Sequence, residues 1–232
     1  CPWNLDHRLA RVALRTEPIA AFERPPCHLV FLIDASGSMN APNKLGLVKQ
    51  GLRLLVENLE PRDTVAIVAY AGAAGLVLPP TSAADADAIL RALEELRAGG
   101  STAGGAGLRL AYRTARENMR PDGIHRVVLA TDGDFNVGVT DPEELVRLVR
   151  EEAAGGVSLS VLGFGMGNYK DDRLEKLADD GDGNYAYVDS AAEARKVLVE
   201  EMGATLVTVA ADAKIQVAFD PESVAAFRLI GY

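Results

Sequence analysis

An α/β fold with a doubly wound, mostly parallel central sheet and helices on both faces is predicted by three observations. Short apolar runs recur along the chain, amphipathic helical stretches separate them, and turn formers bound each run. The first run, His28 to Asp34 (HLVFLID), is continuously apolar and ends in a carboxylate. Thr64 to Tyr70 (TVAIVAY), Arg126 to Thr131 (RVVLAT) and Val157 to Gly163 (VSLSVLG) follow, with a weaker fifth run at Asn184 to Val188. Continuous runs, rather than alternating ones, are what strands buried on both faces show.

Helices are expected between them. Lys44 to Leu59 places Leu45, Val48, Leu52, Leu55, Val56 and Leu59 on one stripe. Asp85 to Leu96 and Ala103 to Asn118 have the same periodicity. Asp141-Pro142-Glu143-Glu144 opens another helix, with Asp at the N-cap, Pro at the first helical position and acids in the first turn. A last helix is expected from Ser190 to Glu201, with Ser190 capping and Glu193 three residues on, as in a capping box. The ends lack this rhythm. Residues 5–16 and 206–230, with alternation near Leu9 to Leu14 and in Lys214 to Phe219, predict half-buried antiparallel strands in a small β appendage around the α/β domain.

Composition narrows the function classes. The chain has 232 residues, of which 48% are hydrophobic and 25% charged, so it is expected to fold as one large domain with a small appendage. The net charge of -9 and the lack of a basic run argue against nucleic acid as a partner. No apolar run approaches the roughly 18 residues that a membrane span needs. A chain that starts on Cys1 and stops on Tyr232 after an apolar stretch is expected to be an internal segment of a longer protein. Cys1 and Cys27, placed outside the main domain by this reading, either pair or stay free thiols.

Ligands of open α/β sheets bind at the carboxyl ends of strands. Three segments fall there: Asp34-Ala-Ser36-Gly-Ser38-Met after the first run, Gly99-Gly-Ser-Thr102-Ala-Gly-Gly before a helix, and Thr131-Asp132-Gly-Asp134 after the third run. One carboxylate and two hydroxyls in a tight turn suit a hard cation such as Mg2+, Mn2+ or Ca2+. Gly37 is expected to give that turn a conformation other residues resist. Each segment also has a plainer reading. Asp34, Ser36 and Ser38 could cap the helix near Asn43, Thr102 or Ser101 could cap the next one, and Asp132 could form a strand-end turn.

Together, in this order, the three segments resemble the von Willebrand factor type A domain, whose metal-ion-dependent adhesion site has the form Asp-x-Ser-x-Ser, then Thr, then Asp. The resemblance covers roughly Leu29 to Glu201 and matches at all five positions. It implies such a domain over 28–203, flanked by β segments at 1–27 and 204–232. It implies metal coordination by Ser36 and Ser38 hydroxyls, with Thr102 direct or through water. Asp34 and Asp132 would act mostly through water, or by direct contact in the unliganded state. A remaining position would take water or a Glu or Asp carboxylate of a protein partner.

The flanks, Cys1-Pro-Trp-Asn, Ala69 to Gly75, Thr131 to Gly138 and Leu162 to Tyr169, are similar to a bacterial group labelled by analogy with calcium-activated chloride channel subunits. That likeness implies a cell-envelope location, commonly with a lipoprotein-type N-terminus. Asp134 and Asn136 are read as turn formers, the alternative being that they support the site from behind Asp132 or hold a second cation. In such domains the last helix, here Ser190 to Gly203, can move with metal coordination.

Two other function classes compete. A metal-dependent hydrolase would want a second Asp at position 36, where this chain has Ser, and a Lys near the site. A serine hydrolase would want a His base, but His28 and His125 start their runs and His7 lies in the appendage. No catalytic residue is therefore expected. A regulatory subunit of an ATPase or envelope assembly is the other alternative, with any ATPase on another chain, because the Gly99 loop lacks a phosphate-loop Lys.

Overall fold

The computed structural model describes residues 8–13, 24–41, 43–101, 104–133, 142–165, 171–201 and 215–228. Six strands form one sheet: β1 (Cys27–Asp34), β2 (Thr64–Ala71), β3 (Ala73–Ser82), β4 (Ile124–Thr131), β5 (Val157–Phe164) and β6 (Tyr185–Val188). Their spatial order is β3-β2-β1-β4-β5-β6. All neighbours are parallel except β2 and β3. Among the described residues six α-helices accompany them: α1 (Leu45–Val56), α2 (Ala86–Glu95), α3 (Gly104–Glu117), α4 (Pro142–Ala154), α5 (Asp171–Asp180) and α6 (Ala191–Arg195), the last continuing as a π-helical turn, Lys196–Glu201.

β1 is buried at every residue because helices cover both faces. Leu29, Phe31 and Ile33 pack on one side with Val48 and Leu52 of α1, Ile89 of α2 and Leu198. Val30 and Leu32 point the other way, against Leu108, Ala111 and Tyr112 of α3. The period of two along the strand thus feeds two separate cores. Helix ends follow their capping residues. The Asp85 side chain accepts from Ala88 N at 3.2 Å, and the Ser190 hydroxyl accepts from Glu193 N at 3.2 Å. The Glu193 carboxylate itself turns to Lys196 Nζ (3.1 Å).

The structure corrects several expectations. β3 and α5 were not read from sequence. β3 contains Gly75, Pro79 and Pro80, which argue against a central strand; it lies at the sheet edge, where proline costs no ladder bond. The strands expected at the chain ends are not formed in residues 8–13 and 215–220. Leu9, Val12, Ile215 and Val217 are exposed there. Alternation supplies one apolar face, and an isolated ribbon with nothing to cover that face is marginal. Cys27 is not outside the main domain: it opens β1, is fully buried and is a free thiol that burial pushes up to about 11. Cys1 lies outside the described residues.

Candidate metal centre

β1 lies between β2 and β4, so its carboxyl end sits at the crevice where strand order reverses. Asp34, the last residue of β1, is fully buried there. Its Oδ1 accepts from Ser36 N at 2.8 Å. Its Oδ2 accepts from the Tyr70 hydroxyl and the Thr131 hydroxyl, each at 3.2 Å. Tyr70 is at the end of β2, in register with Asp34, and Thr131 ends β4. Burial raises the Asp34 carboxyl above its ordinary range; donation from Ser36 opposes the rise and the charge of Asp132 adds to it. A buried carboxylate held by neutral donors favours any cation that can reach it.

Ser36 is buried, Ser38 is exposed, and their hydroxyl oxygens lie 3.0 Å apart. This arrangement decides against helix capping. Ser36 precedes a short 3-10 turn, Gly37–Asn40, yet its side chain makes no capping bond. Lys44 stands at the N-cap of α1 and its side chain makes none either. The two hydroxyls instead face each other, and Ser36 also bonds Asp34. The conformational role expected of Gly37 belongs to Gly100, whose φ is +82°. At Gly37 a Cβ would meet nothing nearer than the Gly100 carbonyl oxygen at 3.5 Å.

The loop before α3 is stitched to the same edge. Gly99 N donates to the Ala35 carbonyl at 2.8 Å and Gly37 N donates to the Gly100 carbonyl at 3.1 Å. Thr102, the residue this loop was expected to contribute, lies outside the described residues, as do Asp134 and Asn136. Asp132, directly after β4, is buried, and its Oδ2 accepts from Lys44 Nζ at 2.8 Å. Lys44 Nζ also donates to the Ser38 carbonyl at 3.0 Å.

The structure therefore brings Asp34, Ser36, Ser38 and Asp132 to one sheet edge and adds Tyr70, Thr131 and Lys44. Neither Tyr70 nor Thr131 was given a role at the site by the sequence, although Thr131 opens the third segment. Lys44 was read only as the start of a helix, although a cation there opposes the helix dipole, a signal that could have singled it out. The donor set is all oxygen, with two carboxylates and two hydroxyls, and it fits a hard divalent ion. Among the described residues no cluster of three His, Cys, Asp or Glu side chains offers a softer site. His28 and His125 lie at the opposite edge, about 20 Å away along the strand.

The chain is similar to several known proteins. The chain is 45% identical over 231 residues to the uncharacterized protein YfbK of Escherichia coli (strain K12), covering 100% of this chain and 40% of that protein. It is 33% identical over 167 residues to human inter-alpha-trypsin inhibitor heavy chain H4, covering 68% of this chain and 18% of the relative. The chain thus spans less than half the length of these curated relatives. A solved structure, the von Willebrand factor type A from Catenulispora acidiphila, superposes with a TM-score of 0.68 at 25% identity, over 78% of this chain and 43% of that one. Residues 204–232 match the family described as uncharacterized protein YfbK, C-terminal. These matches do not extend to the narrower channel-like group. Residues 28–201 match the von Willebrand factor type A domain, and the chain belongs to that family.

Proposed function

We propose that the chain is an adhesion-type protein-binding module that holds Mg2+, or alternatively Mn2+ or Ca2+, at the ends of β1 and β4 and uses it to grip an acidic side chain of a partner. The observation that carries this reading is the Asp34 carboxylate: it is fully buried, its bonds come from neutral donors, and two serine hydroxyls and a second carboxylate stand beside it. Ser36 and Ser38 would supply hydroxyl oxygens, Thr102 a further one, and Asp34 and Asp132 the balancing charge. A bound ion supplies positive charge to an incoming Glu or Asp. Tyr70 and Thr131 orient Asp34 by donating to one oxygen, which leaves its other lone pairs directed elsewhere.

We take the role to be binding rather than catalysis. Lys44 provides one of the two features that a metal-dependent hydrolase would want, but position 36 is serine rather than a second carboxylate. A regulatory role within an envelope or ATPase-associated assembly would use the same site and stays the alternative, with a cell-envelope location proposed in either case.

Calorimetric titration with Mg2+ and Mn2+ tests the reading. One bound ion is expected, lost in Ser36→Ala and Asp132→Ala. Absence of divalent-ion binding by the unmodified chain would overturn it.

A further inference from the structure

We infer that Lys44 is the site's own resident cation, which a divalent ion has to displace from Asp132, so that this lysine sets the affinity for the metal. The inference rests on the divalent-cation reading above and concerns a residue outside the five-residue motif.

Three independent features place the ammonium. Its position in the chain is wrong for ordinary helix chemistry. Lys44 is the N-cap of α1, its side chain makes no capping bond, and the positive end of the helix dipole disfavours a cation there. The side chain turns instead to the site, where Nζ donates to the Ser38 carbonyl (3.0 Å) and to Asp132 Oδ2 (2.8 Å). It thereby spans the serine turn after β1 and the carboxylate after β4. The Asp132 side chain is 3% exposed and that of Lys44 25%, so the pair is partly shielded from water. Finally, the path of the stem is open because residue 165 is glycine. Its φ is +105°, and a Cβ there would come within 3.0 Å of Lys44 Cε and 3.3 Å of Cγ.

Ammonium and divalent ion would share one carboxylate. Two like charges a few ångströms apart in a shielded crevice repel strongly, because little solvent screens them. Either Lys44 leaves Asp132 when the ion enters, or the ion binds weakly. Without metal, the lysine offsets the charge of the buried Asp132 carboxylate.

The test is calorimetric Mn2+ and Mg2+ binding to the 232-residue chain and to Lys44→Met and Lys44→Arg. Methionine keeps an unbranched stem along Gly165 and removes the charge; arginine keeps the charge. Lys44→Met is expected to bind Mn2+ about tenfold tighter or better, and Lys44→Arg to stay near the parent. Binding by Lys44→Met only as tight as by the parent, or weaker, would overturn the inference while leaving the metal site standing. No binding by either would overturn the metal reading itself and this inference with it. If Lys44→Met does not fold, the parent decides. After reductive 13C-methylation of its lysines, the Lys44 NMR signal should shift as Mg2+ saturates the site, and an unmoved signal would overturn the inference.

Discussion

Asp34 and Asp63 are the same residue type, are both fully buried, and stand at opposite edges of the same sheet, yet their carboxyl groups are driven in opposite directions. Asp63 precedes β2. Arg24 grips it with both Nη atoms, Nη1 at 2.8 Å from Oδ1, while the backbone amides of Cys27 and Glu60 donate at 2.8 and 2.7 Å. Burial alone would raise its pKa; the Arg24 bond and the two amide bonds outweigh burial and hold it below the usual range. Asp34 also accepts several bonds, but from an amide and two hydroxyls, and there burial prevails. Both are closed to solvent, but Asp34 lies deeper and beside the Asp132 charge, while Asp63 has a guanidinium partner. A guanidinium makes Asp63 a permanent tie between the entry to β1 and the start of β2. Neutral donors leave Asp34 a carboxylate that a cation would still stabilise.

Breaking the lower tie gives the largest expected effect. Asp63→Ala strands Arg24 in a buried position and is expected to cost about 3–5 kcal/mol in urea unfolding, with or without Mg2+. A cost that Mg2+ rescued would erase the distinction between the two edges. Asp34→Asn comes next. In chelator it is expected to unfold at the parent's denaturant midpoint or slightly above, because it removes a charge that burial disfavours. At Mg2+ a hundredfold over its dissociation constant, the parent should gain about 2.7 kcal/mol and the variant nothing. Equal gains in both would show that Asp34 plays no part in cation binding.

The smallest effect is a pH dependence at the lower edge. The His28 ring stacks on that of His125, with centroids 4.9 Å apart, and His28 Nδ1 lies 2.8 Å from Thr64 Oγ1. Burial lowers the His28 pKa below its ordinary value of 6.5, and the neighbouring His125 and Arg120 lower it further. A depressed pKa means that the folded state binds its proton later than the unfolded chain does. Stability is therefore full above about pH 6.5 and is lost as pH falls through the folded value. One such histidine contributes a slope no steeper than about 1.4 kcal/mol per pH unit. His28→Gln should flatten the stability profile between pH 7 and 5, followed by urea midpoints; an unchanged profile would place the titration elsewhere. Asp63 adds a second loss only below about pH 4, since its pKa is lowered too.

Much of this was legible in the residues. β1, β2, β4 and β5 lie where continuous apolar runs placed them, and α1 and α2 begin within a residue of their predicted starts. Asp34, Ser36, Ser38 and Asp132 were legible because their types, spacing and positions at strand ends are all local properties of the sequence. β3 was hidden by its prolines, whose tolerance depends on being an edge strand, a fact about neighbours. α5 carries so many charges that only Leu174, Leu177 and Ala178 face the core, a stripe too short to stand out. The alternation at the chain ends looked like strands, but residues 8–13 and 215–220 have no ladder to join.

By itself, then, the sequence determined the βα alternation, the switch-point location of a hydroxyl and carboxylate cluster, and the all-oxygen chemistry of that cluster. Those follow from periodicity and residue type, which need no partner to be read. Only the tertiary structure decided which charges meet. Tyr70 and Thr131 reach Asp34 because strand register aligns three strand ends, and Lys44 reaches Asp132 across 88 positions because Gly165 leaves room for its stem. Whether a buried carboxylate is tied by a guanidinium, like Asp63, or held by neutral donors, like Asp34, depends on which partners the fold delivers. That is a long-range contact, and no local pattern encodes it.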